Sequence, residues 1–402
     1  MTKKTRTRNS PAWGDATKLV RGGLERTPHG ETSEALFLNS GFVYDAPETA
    51  EARFANTANS DGGYVYGRYG NPTVSMFEER LALLEGAEAA YGVASGMAAV
   101  FGALACQLKA GDHIVSSRAL FGSCYQVITA ILPRFGIAHT LVDGNDMKAW
   151  KQAFRPETRA VFLETPSNPT LEIIDIAAVG ELAKNAGASY VVDNIFATPI
   201  LQKPLQLGAD VIVYSGTKHM DGQGRVLGGA IVSTRQFKEE LLKPFLRHTG
   251  PSLSPFNAWV LLKGIETLKL RVEAQSASAH AIAEHLAATK GVSRVLYPFL
   301  DSHPQAALAR RQMKSGGTMV TFEVKGGKDK AFDVLRKLRL VDISNNLGDA
   351  KSLMTHPAST THRNIGPEAR AMMAITDGML RLSVGLEDVQ DLLDDIRQAI
   401  AG

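Results

Sequence analysis

The sequence predicts an α/β protein, with a mainly parallel central sheet covered on both faces and a smaller α+β domain at the C-terminal end. Three observations lead there. Short apolar runs rich in β-branched residues recur at 112–117 (DHIVSS), 158–164 (TRAVFLE), 189–194 (SYVVDN), 209–215 (ADVIVYS) and 228–234 (GGAIVST). Helical patterns separate several of them, as at 123–135 and 177–186. Strands buried on both faces lose the polar alternation of a half-exposed sheet, and intervening helices supply the crossovers that parallel neighbours require. The third observation is a change of pattern after Gly250 in a chain of 402 residues, longer than one hydrophobic core usually serves.

Taken in order, residues 1–55 carry few strong elements and are expected to wrap the core or a neighbouring subunit. Lys3, Lys4, Arg6 and Arg8 fall in the first ten residues, with no acid before Asp15. Without an apolar stretch or an amphipathic repeat, this segment reads as an N-terminal arm rather than a targeting peptide. Residues 89–108 hold 20 consecutive uncharged residues, enough to span a bilayer. Gly92, Ser95, Gly96, Gly102 and Gln107 dilute the apolarity, so a buried strand, a tight turn at Ser95-Gly96 and a buried helix are expected instead, and no membrane span. The α/β domain is placed at 56–250. Pro251 and Pro255 then punctuate the chain before a long helical stretch at 256–290. A strand at 318–324, a helix at 328–338, a Gly/Asn/Pro/Thr-rich connection at 344–367 and a closing helix at 387–400 complete a C-terminal domain of 251–402.

Composition removes several function classes. The 44 Lys+Arg and 41 Asp+Glu leave a formal charge of +3, and the four basic residues of the arm account for all of that excess. The body is therefore neutral and shows no basic stripe for a nucleic acid. Cys106 and Cys124 read as packed thiols in a reducing, cytoplasmic setting. His280 and His285 are five apart on a predicted helix and do not share a face. His356 and His362 flank a turn-rich loop without a cysteine or carboxylate at ligand spacing, so no metal is expected. Met372-Met373 reads as core filler. No GxGxxG follows the first strand of a βαβ unit, which argues against a nicotinamide dehydrogenase.

Ligands of open α/β sheets bind at the carboxyl ends of the strands, and four features fall at such ends. Ser95-Gly96-Met97 sits at a strand-to-helix turn, where backbone N–H groups and the helix dipole favour an anion. Asp193 ends the apolar run YVVDN. Buried, it needs donors or a cation; as a helix cap it would find donors, and as the partner of a protonated ring nitrogen it would find charge. At 4 Å and an effective dielectric of 20 such a pair is worth about 4 kcal/mol, roughly three pKa units on the ring nitrogen. Ser215-Gly216-Thr217-Lys218 follows VIVY and offers two hydroxyls and an amine; enclosed beside another cation, that amine becomes a usable nucleophile and base. Asp193 and Lys218 are 25 residues apart, a spacing compatible with the ends of adjacent strands. The run YVYGRYGNPT at 64–73 adds Arg68, whose planar fork suits an oxyanion. Each feature alone has an ordinary packing explanation. Together they supply a phosphate cradle, a ring-nitrogen partner and an amine, the set that holds pyridoxal 5'-phosphate as a Schiff base.

At these residues the chain resembles the Cys/Met-metabolism family of pyridoxal-phosphate enzymes, relatives of cystathionine γ-synthase. The resemblance runs over about residues 15–400 and is carried by YGRYGNPT, SGMAA, ETPSNPT, VVDNIFATP, SGTKH and RLSVG. It implies the fold-type I (aspartate-aminotransferase-like) architecture and a homotetramer built as a dimer of dimers with shared active sites. By position it implies Lys218 as the Schiff-base lysine and Asp193 as the pyridinium partner. Gly96, Met97, Ser215 and Thr217 would hold the phosphate, with Tyr66 and Arg68 reaching it from the neighbouring subunit. Asn168 would contact the ring hydroxyl, and Arg381 would bind the substrate α-carboxylate by a bidentate pair.

Two positions depart from the commonest pattern. Phe121 stands where many relatives carry a tyrosine stacked over the cofactor, so stacking survives but the hydroxyl is gone, and more proton traffic falls to Lys218. Asn346, counted here with the substrate-binding residues, stands where serine usually precedes Leu-Gly. With the THPASTTH segment at 355–362, these features are most similar to the O-succinylhomoserine sulfhydrylases. The implied reaction is a γ-replacement converting O-succinylhomoserine and sulfide to homocysteine and succinate, a step of methionine biosynthesis. Cystathionine γ-synthase and γ-lyase activities share its first half. A cofactor carrier without turnover is a further alternative, against which stands the presence of both Lys218 and Arg381. Acetyl and phosphoryl esters stay open as substrates, and Arg363 is a candidate for a distal carboxylate only through its charge and position.

Overall fold

The computed structural model describes residues 10–55 and 63–401, so the basic arm carrying Lys3, Lys4, Arg6 and Arg8 lies outside the described residues. The chain gathers into two compact units, each assembled from separate segments. The first comprises Met1–Gln107, Val211–Asp221 and Arg225–Thr267; the second comprises Leu108–Asp210, Gly222–Gly224 and Leu268–Gly402.

The apolar runs become strands close to where the sequence puts them. Strand β1 (Ala89–Val93) lies in the first unit. Strands β2 (His113–Ser117), β3 (Ala138–Val142), β4 (Thr158–Glu164) and β5 (Ser189–Asp193) belong to the second, and β6 (Val211–Ser215) and β7 (Gly229–Ser233) return to the first. In the second unit the order is β5-β4-β2-β3 and every pair is parallel. Helices Met147–Ala153 and Ile176–Asn185 provide crossovers, and Trp150, Val179, Val161 and Tyr190 share one core against them. In the first unit β7 is the middle strand, antiparallel to both β1 and β6. The connection 216–228 from β6 to β7 contains turns and no helix, so the chain comes back antiparallel without a crossover.

The uncharged stretch at 89–108 divides as expected, into β1 and the helix Gly96–Ala105. No helix among the described residues is long and apolar enough to cross a membrane. Two expected helices differ from the reading. Residues 123–135 are not one α-helix but a short α-turn at Gly122–Gln126, a π-turn at Val127–Ile131 and a 3-10 turn at Leu132–Phe135. Pro133 lacks the N–H that an α-helix would use, and Gly136 closes the segment in the left-handed region at φ 74°. The stretch 256–290 is two helices, Pro255–Glu266 and Leu268–Ala287, separated at Thr267.

A second sheet forms wholly within residues 251–402. Its strands are β8 (Val292–Leu296), β9 (Met319–Val324), β10 (Asp342–Ile343), β11 (Leu353–Thr355) and β12 (Met379–Ser383), in the order β10-β11-β12-β9-β8. Only the short β10–β11 pair is parallel. Helices Leu268–Ala287, Gly327–Lys337 and Val389–Ala401 cover this sheet, burying Ile282, Phe322, Val334, Leu380 and Ile396 in one core. That burial fixes β12 and thereby the side chain at its centre, Arg381.

Candidate active site

Each unit carries its own set of chemically loaded residues. In the first, β1 runs into Ser95, whose Oγ accepts from the Ala98 N–H at 3.1 Å and so starts the helix Gly96–Ala105. The N–H groups of Gly96 and Met97, on the open first turn, have no acceptor among the described residues. A Cβ at Gly96 would come within 2.6 Å of Ser215 Cβ, and one at Gly229 within 2.1 Å of the Ser95 carbonyl oxygen. Glycine at both positions is therefore what lets this turn press against the end of β6 and the start of β7. Ser215 ends β6, and the turn after it leaves Thr217 and Lys218 half-buried. The Thr217 hydroxyl donates to the Gly228 carbonyl at 3.3 Å and accepts from the Gly228 N–H at 3.1 Å, so in this structure its proton is directed at backbone.

Tyr66 and Arg68 form a separate cluster in the first unit, without a hydrogen bond to Gly96, Met97, Ser215 or Thr217 among the described residues. The Arg68 guanidinium lies 5.4 Å from the Tyr66 ring centroid and 5.0 Å from that of Tyr69, and it donates to the Arg247 carbonyl. Tyr66 itself is 44% exposed.

The second unit brings together Phe121, Asn168, Asp193, Asn346 and Arg381, and adds residues that the sequence did not single out. Strands β4 and β5 end in register, with Glu164 opposite Asp193. Ligand atoms of these two carboxyls and of Cys124 lie within 4.8 Å of one another, all buried. Asp193 accepts from the Ile195 N–H at 3.0 Å, and burial pushes its carboxyl up to about 7. Glu164 accepts from Phe121 N–H at 2.8 Å on one oxygen and from Asn168 N–H at 2.7 Å on the other. Burial, then the neighbouring Asp193, holds it well above the ordinary carboxylate range. Burial likewise raises the Cys124 thiol, and both cysteines are free.

Arg381 is 1% exposed. Its Nη1 donates to Asn168 Oδ1 at 2.8 Å, and Nη2 to the carbonyls of Asn345 at 2.9 Å and Asn346 at 3.4 Å. Its Nε has no partner among the described residues. Burial lowers its pKa to about 10, an effect the Glu164 carboxyl opposes. A buried guanidinium whose hydrogen bonds all go to neutral oxygens, with one N–H left without a partner, is in a state that a carboxylate relieves.

His362 is fully buried. Its Nε2 lies 3.3 Å from the Leu120 carbonyl and 3.1 Å from that of Asn168, and its Nδ1 lies 2.8 Å from Thr361 Oγ1. Two carbonyl neighbours assign the proton to Nε2. Burial lowers its pKa to about 4, and its ring meets Phe121 edge-on at 6.4 Å. His356 is similarly spent, on Ser359 Oγ and the Asp377 carbonyl, each at 2.8 Å.

Glu164 was legible in principle: like Asp193, it is an acid closing a fully apolar run, here TRAVFLE. His362 gave no such sign, because its partners, Leu120 after β2 and Asn168 after β4, lie far along the chain.

The donor set fits pyridoxal phosphate. Open N–H groups at a ten-residue helix suit a dianion. A buried carboxyl with a single backbone donor suits a cationic ring nitrogen, and the unpartnered Arg381 Nε suits a substrate carboxylate.

Comparison with known proteins agrees. Residues 16–401 match the family described as Cys/Met metabolism PLP-dependent enzyme. The chain is 57% identical to O-succinylhomoserine sulfhydrylase of Mycobacterium tuberculosis over 96% of this chain and 95% of that one. Against the O-succinylhomoserine sulfhydrylase of Pseudomonas aeruginosa it is 48% identical, over 96% and 94%. Among solved structures it is similar to a Campylobacter jejuni protein assigned as O-acetylhomoserine (thiol)-lyase and containing a pyridoxyl-lysine phosphate. That likeness has a TM-score of 0.93 and 32% identity, over 97% of this chain and 100% of that one.

Proposed function

Because the chain belongs to the Cys/Met metabolism family of PLP-dependent enzymes, we propose that it is an O-succinylhomoserine sulfhydrylase. It replaces the succinyl ester at Cγ of O-succinylhomoserine with sulfide, releasing homocysteine and succinate. The observation that carries the activity is the near full-length similarity to sulfhydrylases at 57% and 48% identity. The cofactor is pyridoxal phosphate, which supplies an electron sink that acidifies the Cα and Cβ protons of a bound amino acid.

The residue roles follow from chemistry and placement. Gly96 and Met97 give the phosphate their backbone N–H groups; Ser215 and Thr217 give hydroxyls, the latter on turning away from Gly228. Lys218 holds the cofactor covalently and, once displaced, takes the proton from the substrate Cα and moves protons at Cβ. Asp193 carries the charge that keeps the ring nitrogen protonated. Asn168 meets the ring hydroxyl, and Phe121 covers the ring without a hydroxyl of its own, which leaves proton transfer to Lys218. Arg381 takes the substrate α-carboxylate, its two acceptors Asn345 and Asn346 holding the fork in plane. Asn346 stands beside that carboxylate.

We further propose a cytoplasmic homotetramer, a dimer of dimers, in which Tyr66 and Arg68 reach the phosphate bound by the neighbouring subunit. The exposure of Tyr66 and its stacking with Arg68 support this reading.

The test offers purified enzyme O-succinylhomoserine with equal sulfide and cysteine and identifies the product by mass spectrometry. Homocysteine is expected to predominate. Predominant cystathionine would make the enzyme a cystathionine γ-synthase; 2-oxobutyrate and ammonia without either thioether or thiol product would make it a lyase.

A further inference from the structure

The backbone around Phe121 and Asn168 is gripped from two sides, by two residues to which the reaction assigns nothing. Glu164 accepts the N–H of Phe121 and the N–H of Asn168, one on each carboxyl oxygen. His362 approaches the carbonyl of Leu120 and the carbonyl of Asn168 through one ring nitrogen. The Leu120–Phe121 peptide unit is thus held at its oxygen by the histidine and at its N–H by the glutamate. Asn168 is held at its own N–H and its own carbonyl by the same pair. With both ends of its backbone fixed, Asn168 presents Oδ1 to Arg381 Nη1 at 2.8 Å. The approach of the 355–365 segment to this region is close: a Cβ at Gly122 would come within 2.6 Å of the Thr361 carbonyl oxygen.

We propose that Glu164 and His362 are positioning residues: together they clamp Asn168, which orients Arg381 for the α-carboxylate of the substrate, and they hold Phe121 by the same contacts. The inference rests on the reading of Arg381 as the carboxylate site. Neither clamp residue touches the carboxylate. Each acts by removing freedom from a peptide unit that would otherwise let the Asn168 amide, and with it the guanidinium plane, rotate. The His362 ring works as the neutral Nε2–H tautomer, a donor to two carbonyls, which a second donor of the same reach can imitate.

The experiment uses the holoenzyme and two inert ligands followed by the cofactor's visible spectrum. L-2-aminobutyrate has the α-carboxylate and no leaving group; propylamine is the same chain without the carboxylate. His362→Leu is expected to weaken 2-aminobutyrate binding about tenfold, on the scale of a lost charge-assisted hydrogen bond, and to weaken propylamine clearly less, by the share that Asn168 and Phe121 contribute at the cofactor. His362→Gln, which keeps an N–H donor, restores most of the loss. Arg381→Leu weakens 2-aminobutyrate at least as much, again with clearly less effect on propylamine. Glu164→Gln retains one acceptor and loses the other, so it shows a smaller loss of the same selectivity, and the double variant with His362→Leu is less than additive because both act on the same peptide units. Selective loss in Arg381→Leu with none in His362→Leu or Glu164→Gln overturns the clamp and leaves the carboxylate site standing. Equal loss for both ligands in Arg381→Leu overturns the carboxylate site, and the clamp with it.

Discussion

A lysine amine that both binds a cofactor and moves protons has no substitute among neutral side chains, so Lys218→Ala is expected to abolish homocysteine formation; appreciable γ-replacement by the variant would refute the role. Asp193 makes a different kind of claim, because its burial leaves a mark on stability even without cofactor. With its carboxyl raised from 3.8 to about 7, the folded chain holds a proton between those values that the unfolded chain has released. Folding stability from this group is therefore fully present below about pH 4 and is lost as pH rises toward 7. Cofactor-free protein should lose thermal stability relative to Asp193→Asn as pH rises from 4 to 7, and adding pyridoxal phosphate should reverse the difference by giving the carboxylate its cation. Melting temperatures measured at several pH values, with and without cofactor, test both parts. Sequence alone named Lys218 and Asp193 because each stands at the end of a buried apolar run, where an ionisable group needs a reason. It passed over Glu164, which has the same pattern, and His362, which has none.

Elements place these residues through close contacts that tolerate little change. The turn before the helix Gly96–Ala105 is wedged against β6 and β7, and the obstacle differs at its two glycines. At Gly96 an added methyl would come within 2.6 Å of Ser215 Cβ, which is fixed to the β6 backbone; at Gly229 it would come within 2.1 Å of the Ser95 carbonyl oxygen, a deeper clash with the turn itself. Gly229→Ala is expected to be the more damaging. Overpacking of this kind costs about 1–3 kcal/mol or more, and here it also moves the open N–H groups, so cofactor retention after dialysis should fall more in Gly229→Ala than in Gly96→Ala. Undiminished retention in both would show that the N–H groups do not depend on this wedge. Strands β1, β2, β4, β5, β6, β7 and β9 were legible from their apolar runs, whereas β3, β8, β10, β11 and β12 were not named from the sequence. The π- and 3-10 turns at Val127–Ile131 and Leu132–Phe135 were not legible either, since each is only about one turn long, too short for its own periodicity to show in the sequence.

Over the whole molecule, buried histidines oppose the effect of Asp193. His113, His303 and His362 are each pushed down to about 4 chiefly by burial. Below 6.5 the unfolded chain binds protons that these folded histidines refuse, so stability from this source falls as pH drops from 6.5 toward 4. The histidine contribution to stability should therefore shrink in that window while that of Asp193 grows, and His362→Gln should gain stability relative to the parent protein as pH drops from 6.5 to 4; no such relative gain would mean that His362 is not buried neutral. Assembly is open to a separate test. If Arg68 serves the neighbouring subunit's site, Arg68→Ala and Lys218→Ala chains, each inactive alone, should regain activity when co-expressed, because one mixed site keeps both residues. Failure to complement would place Arg68 in the site of its own chain.

The sequence by itself determined the fold class and the cofactor, and it proposed the residues that would bond it, because strands buried on two faces, glycine turns and acids or amines at strand ends are local patterns with local physical causes. The tertiary structure decided how the second unit is wired. Asn168 lies 213 positions from the Arg381 it orients, and 194 from the His362 that holds it. Hydrogen bonds over such separations depend on which peptide units the packed strands leave facing one another, and no local pattern encodes that.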